Sequence, residues 1–146
     1  MEKLETAPMG QLLLRAFRWF DESLLALLKE QGWPELSHSQ SMVMAFLGNG
    51  GIRISELARR LGVSRQAAQK SVSELEKADL LKTEVDPTNS SAKIVVLTTK
   101  GKAIVVAALS LFSEIELELA ERIGRTNLGN MRKALEKDWG PAVDRR

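Results

Sequence analysis

Residues 54–76 read Ile54-Ser-Glu-Leu-Ala-Arg-Arg-Leu-Gly-Val-Ser-Arg-Gln-Ala-Ala-Gln-Lys-Ser-Val-Ser-Glu-Leu-Glu76. Two helices joined by a tight turn are expected from this stretch. Ser55 can cap a first helix over Glu56 to Leu61, with Leu57, Ala58 and Leu61 facing inward. Gly62-Val63 supplies the turn, because glycine tolerates the backbone conformation that a tight reversal needs. Ser64 can cap a second helix running to about Ala78, with Ala68, Val72 and Leu75 inward. A short helix, a glycine turn and a Ser-capped second helix make a helix-turn-helix. The outer face of the second helix then carries Arg65, Gln66, Gln69, Lys70 and Ser73, with no acid before Glu74. A solvated face usually mixes both signs. Long donor side chains without acids suit base edges and phosphates.

On the N-terminal side, Leu13, Phe17, Phe20, Leu24, Leu27 and Leu28 recur every three or four residues, which predicts a helix from Gly10 to Gln31 stopped at Gly32-Trp33-Pro34. Ser37 and Gln40 have capping-box spacing, so a further helix is expected through Met42 to Leu47, ending at Gly48-Asn49-Gly50-Gly51. Ile52-Arg53-Ile54 alternates like a very short strand. On the C-terminal side, Leu81 to Val85 and Lys93 to Leu97 are strand-like. The turn-forming Asp86-Pro87-Thr88-Asn89-Ser90-Ser91 lies between them, which reads as a β-hairpin. Thr98 can cap a long helix from Gly101 to Ile123, about 34 Å at 1.5 Å per residue. Its first half, Ala103 to Phe112, is apolar nearly all round, so it is expected to be covered on more than one side. A last helix is expected over Asn127 to Trp139, with Leu128, Met131, Leu135 and Trp139 on one stripe.

The 146 residues fit a single domain of ordinary size, and 44% apolar with 27% charged residues is a globular composition. The absence of cysteine excludes disulfides, thiolate metal sites and cysteine catalysis, and the single His38 excludes a multi-histidine site within one chain. No apolar run approaches the ~20 residues of a membrane span, and Met1-Glu2-Lys3-Leu4-Glu5 is too acidic for a signal peptide, so a cytoplasmic protein without membrane contact is expected. The net charge of +2 is unevenly spread: residues 52–102 carry ten Lys/Arg against six Asp/Glu, and the remainder is acidic. A basic middle suits an anionic partner.

The chain resembles the MarR family of winged helix-turn-helix transcription factors in element order over nearly its whole length. The residues that carry the resemblance are Ser55-Glu56-Leu57-Ala58, Leu61-Gly62-Val63-Ser64, Val72, Leu75-Glu76, Leu80, Asp86-Pro87 and Leu97-Thr98-Thr99-Lys100-Gly101. The Asp-Pro wing tip followed by Leu-Thr-x-x-Gly and a long helix is its most specific part. The resemblance implies a mainly α fold with a small β-hairpin wing, in one domain over 1–146. A winged helix-turn-helix lobe would span 36–100, and dimerisation helices would lie in 1–35 and 101–146. It implies a homodimer that binds double-stranded DNA at a pseudo-palindromic operator, a repressor relieved by a small-molecule effector, with no cofactor. The expected DNA-contacting residues are Ser64, Arg65, Gln66, Gln69, Lys70 and Ser73 on the second helix of the motif, and Asn89, Ser90, Ser91 and Lys93 in the wing. The wing departs from the family pattern. Where the family usually has Asp-Arg-Arg, this chain has Asn89, Ser90 and Ser91, and Thr83 stands where the family favours arginine. Two readings therefore stay open: a sequence-specific DNA-binding regulator, and a dimeric winged-helix interaction module that lost most DNA affinity.

Other signals are read blandly. His38 is a helix-start or surface residue rather than a metal ligand, and Glu114, Glu118 and Glu121 form a solvated face rather than an acid/base cluster. Trp19, Trp33 and Trp139 are core or interface anchors rather than the lining of an effector cavity, and Met42 and Met44 are packing residues. No nucleophile elbow, phosphate loop or dinucleotide fingerprint is present, so an enzyme is not expected.

Overall fold

A computed structural model describes residues 7–47 and 50–146. The acidic N-terminal stretch Met1–Glu5 and the Gly48-Asn49 half of the expected breaker lie outside the described residues. The described residues form α1 (Met9–Glu30), α2 (His38–Phe46), α3 (Ile54–Leu61), α4 (Arg65–Lys77), β1 (Leu81–Asp86), β2 (Asn89–Leu97), α5 (Thr99–Ile123) and α6 (Arg125–Glu136). The fold is mainly helical with one antiparallel hairpin. Residues up to Phe112 form one compact unit, and Ser113–Arg146 form a second.

In the first unit the core is built where the apolar periodicities of successive elements meet. Val43 and Leu47 from the α2 segment, Leu57 from α3, Val72 and Leu75 from α4, and Leu80 at the start of the hairpin are all essentially inaccessible. Ala58 and Ala68, small residues on α3 and α4, are buried as well. The αα turn closes as expected. Gly62 adopts φ 69°, its N–H donates to the Arg59 carbonyl at 3.2 Å, and the Val63 N–H donates to the Ala58 carbonyl at 3.1 Å.

Three caps follow the sequence. Ser37 and Gln40 make both bonds of a capping box at α2, the Ser64 Oγ accepts from the Ala67 N–H at 3.0 Å, and the Thr98 Oγ1 accepts from the Gly101 N–H at 3.0 Å. The cap expected at Ser55 is not formed. Helix α3 begins one residue earlier at Ile54, Arg53 is its N-cap residue, and no side chain closes it. The cause is the sheet. Ile52 exchanges both backbone bonds with Val95, at 3.1 and 2.8 Å, so the chain turns directly from that bridge into the helix. The expected strand over Ile52 to Ile54 is accordingly one bridge, with Ile54 already helical.

The hairpin is longer than expected. Strands reach Asp86 and Asn89, leaving only Pro87-Thr88 as the turn. Pairing is regular from Leu81↔Leu97 to Val85↔Lys93, then shifts so that Asp86 faces Asn89. Ser90, Ser91 and Ala92 thereby fall in the bulged side of the register. Leu80 sits at the base of the hairpin, and its carbonyl explains Gly101: a Cβ there would lie 2.1 Å from that oxygen.

Helix α5 is less covered than its composition predicts. Ile104 is buried, whereas Val106 and Leu109 are 67% and 64% exposed in the single chain. In the second unit α6 ends at Glu136, short of the expected Trp139, and has no buried residue. Trp139 lies beyond the helix and donates from Nε1 to the Ala134 carbonyl at 2.9 Å.

Candidate nucleic-acid interface

Helix α4 buries Ala68, Val72 and Leu75, and this period turns the opposite residues outward. Ser64, Arg65, Gln66, Gln69 and Lys70 are exposed and Ser73 is half-buried, so the six expected residues of this element share one accessible side. Gln69 Nε2 donates to Ser73 Oγ at 3.2 Å, and the Ser64 Oγ caps the helix by accepting from the Ala67 N–H. The first turn holds no acid, so the partial positive charge of the helix N-terminus adds to Arg65.

Ion pairing sharpens this polarity. On α3, Glu56 engages both Arg59 and Arg60, the latter at 3.0 Å, and bonding to these guanidiniums, Arg59 first, lowers its carboxyl to about 2. Lys82 pairs with Glu84 at 3.1 Å and Arg53 with Asp86 at 2.9 Å. Glu74, the first acid along α4, accepts from Gln40 Nε2 at 3.0 Å. Arg65 and Lys70 have no ion-pair partner among the described residues, so their charge is available to an external anion.

The wing presents a different surface. Asn89, Ser90, Ser91 and Lys93 are all exposed, and the structure brings them together near the end of one hairpin. Only Lys93 among them is charged. Asn89 Oδ1 accepts from both the Ser91 N–H at 3.1 Å and the Ser91 Oγ at 2.7 Å, so one of the two serine hydroxyls is turned to its neighbour.

Asp86 and Arg53, neither among the expected DNA-contacting residues, hold this wing. Asp86 is 8% exposed. Its Oδ1 accepts from the Thr88 N–H and Oγ1, both at 2.8 Å, while its Oδ2 accepts from Arg53. The Thr88 bonds first, and then Arg53, hold its carboxyl below the ordinary aspartate value. The local half of this cluster is legible as an Asx turn in Asp-Pro-Thr. The Arg53 half has no local signal.

A second feature lies in the same unit. A cavity of about 370 Å³ opens among α1, α2 and α5, lined by Phe17, Leu24, Leu28, Leu36, Met42, Met44, Ile104, Val105, Leu109 and Phe112, with Asp21 and Ser41 among its few polar groups. Met42 and Met44 line it, and Met44 is also buried in the core. None of the tryptophans lines it, and Trp139 is 65% exposed in the single chain. Trp19 stands edge-on to Phe20 with ring centroids 5.2 Å apart. His38 opens α2 as expected, and it is also paired with Asp21. Glu114, Glu118 and Glu121 are all exposed.

A sequence model of the MarR family matches residues 35–90, from just before α2 into the wing. Over these residues the chain is similar to the MarR family. The HTH-type transcriptional regulator TcaR of Staphylococcus aureus is 28% identical over 113 residues, covering 75% of this chain and 75% of TcaR. Wild-type MarR of E. coli in its apo form superposes with a TM-score of 0.75 at 21% identity, over 91% of this chain and 98% of that one. A Staphylococcus aureus MepR variant bound to an oligodeoxyribonucleotide superposes with a TM-score of 0.59 at 20% identity, over 88% of this chain and 93% of that one. Within the winged helix of this chain, the α4 face is cationic and the wing end almost neutral.

Proposed function

We propose that this protein is a MarR-family regulator: a homodimeric, sequence-specific DNA-binding transcriptional regulator of the cytoplasm, a repressor relieved by a small molecule. The observation that carries the reading is the exposed face of α4. Arg65 and Lys70 stand there without ion-pair partners among the described residues, beside Gln66 and Gln69, while the cations of α3 are taken up by Glu56. Arginine, lysine and glutamine are the side chains that pair with guanine and adenine edges in the major groove. The DNA-bound MepR variant, with the same fold, supports the assignment.

In this reading residues 36–100 are the DNA-binding lobe, and the helices in 1–35 and 101–146 pair two chains. Exposed Val106 and Leu109 in the first unit, and exposed Leu117 and Leu135 in the second, are each apolar surface that pairing of two chains would cover. Two-fold symmetry then sets the recognition helices about 34 Å apart, one DNA turn, and calls for a pseudo-palindromic operator. The cavity beside α1 and α2 is the place for an effector. A second reading, a winged-helix interaction module with weak DNA binding, is favoured by one observation, the absence of charge from Pro87 to Ala92.

Mobility shift of the intergenic DNA adjoining the gene, with purified protein over a salt series, tests the reading. A specific complex that outcompetes unrelated DNA and weakens linearly in log salt is expected. Equal affinity for all DNA, or none, selects the interaction module.

A further inference from the structure

The effector cavity contains one charged side chain. Asp21 is 6% exposed and lies on a wall that is otherwise almost wholly apolar, with no Lys, Arg or His among the lining residues. Both of its oxygens are engaged by the first turn of α2. Oδ1 accepts from Ser41 Oγ at 2.8 Å, and Oδ2 meets His38 Nδ1 at 2.5 Å. The carboxylate therefore also complements the positive N-terminal end of α2. In that same turn Gln40 spends its side chain twice: Oε1 accepts from the Ser37 N–H at 2.9 Å, and Nε2 donates to Glu74 on α4 at 3.0 Å. A chain of hydrogen bonds thus runs from the cavity wall, through the first turn of α2, to the helix that presents the DNA-contacting face.

We propose that the cavity takes a lipophilic organic cation held by Asp21, and that its binding draws Asp21 away from His38 and Ser41 and so loosens the Gln40–Glu74 link to the recognition helix. The proposal rests on the reading of this chain as a ligand-relieved DNA-binding regulator.

Charge decides the ligand class. An organic anion would enter beside a carboxylate with no cation on the cavity wall to offset the repulsion, in surroundings where charges are poorly screened. A neutral apolar molecule would fill the space but leave Asp21 with its present partners, and so would have no differential effect on α2. Only a ligand that interacts differently with two states can shift the balance between them. A cation with an apolar body meets Asp21 with its charge and the apolar walls with the rest. Phe17 and Phe112 are among those apolar walls.

Isothermal titration of the full chain with benzyltrimethylammonium, neopentylbenzene (its uncharged carbon analogue) and phenylmethanesulfonate tests the site without DNA. The cation is expected to bind at least ~10-fold more tightly than the neutral analogue, and the anion not to bind. This comparison uses the wild-type protein, so it stands even if a variant fails to fold. Asp21→Asn is expected to erase the difference. Hydrogen exchange reads the link: the cation is expected to speed amide exchange at residues 38–41 and 74–77. In Gln40→Leu the cation affinity is expected to be unchanged and the response at 74–77 lost. Equal binding of cation and neutral analogue, or a preference that survives Asp21→Asn, overturns the site. Cation binding with unchanged exchange at 74–77 overturns the link. Because neither arm contains DNA, failure of the mobility shift counts against the regulator reading alone.

Discussion

The Arg53 guanidinium donates from Nε and Nη2 to a single oxygen of Asp86, at 3.1 and 2.9 Å, across 33 residues of sequence. Arg53 is the N-cap residue of α3, and Asp86 is the last residue of β1. The pair therefore ties the far end of the wing to the entrance of the helix-turn-helix. Arg53→Gln should free the wing without unfolding the lobe. Faster amide exchange at 86–93 and a DNA affinity reduced less than by Arg65→Ala are expected. Unchanged exchange there would show that the hairpin holds its position without Arg53.

The two carboxylates with lowered pKa make an acid-side prediction. Glu56, held at about 2 by Arg59 and Arg60, stabilises the folded chain fully above its ordinary value of 4.5 and loses that contribution as pH falls toward 2. Asp86 acts in the same direction, below the ordinary aspartate value. Wild-type stability should therefore decline over that window more steeply than in Glu56→Gln or Asp86→Asn. Both carboxyl resonances should titrate late in a carbon-detected NMR series.

Recognition and wing are separable by salt. Replacing a base-contacting residue among Arg65, Gln66, Gln69 and Lys70 should cost about 1–3 kcal/mol and relax specificity at one position per half-site. The wing should contribute little to affinity, since a narrow minor groove rewards cations and Asn89, Ser90 and Ser91 have none. Adding Ser90→Arg and Ser91→Arg should tighten binding to all DNA and steepen the salt slope by up to roughly 0.9 per arginine that reaches a phosphate. Lys93→Ala should do the reverse, weakly. An unchanged slope in the double-arginine variant would mean that the wing stays away from DNA.

Gly101 is required by close approach rather than by backbone freedom. A Cβ there would meet the Leu80 carbonyl oxygen, a backbone atom that cannot swing aside. Gly101→Ala should destabilise the lobe by about 1–3 kcal/mol, the usual range for overpacking. Chemical denaturation of the variant measures it, and a neutral result would require the start of α5 to shift.

Assembly is checked by sedimentation. A particle of about 32 kDa, twice the 16.2 kDa chain, is expected at micromolar concentration. Val106→Glu with Leu109→Glu, which places charge on the uncovered part of α5, should return it to the monomer mass. A wild-type monomer would remove the basis for a two-fold operator.

Much of the fold was legible because its signals close within four residues. The capping box of Ser37 and Gln40, the Ser64 and Thr98 caps and the left-handed Gly62 each depend on neighbours along the chain. The burial of Ala68, Val72 and Leu75 follows from helical period alone, and that period exposes the candidate recognition face. Tertiary structure decided what spans the elements. Ser55 was a plausible cap by local rules, but the Ile52–Val95 bridge moved the start of α3 to Ile54. Arg53 with Asp86, Asp21 with His38 and Ser41, and Gln40 with Glu74 meet across 17 to 34 residues. Their partners are chosen by how packed helices and the hairpin bring side chains together. Sequence pattern reports which face of an element is apolar, but a polar side chain finds its distant partner only once those apolar faces have packed.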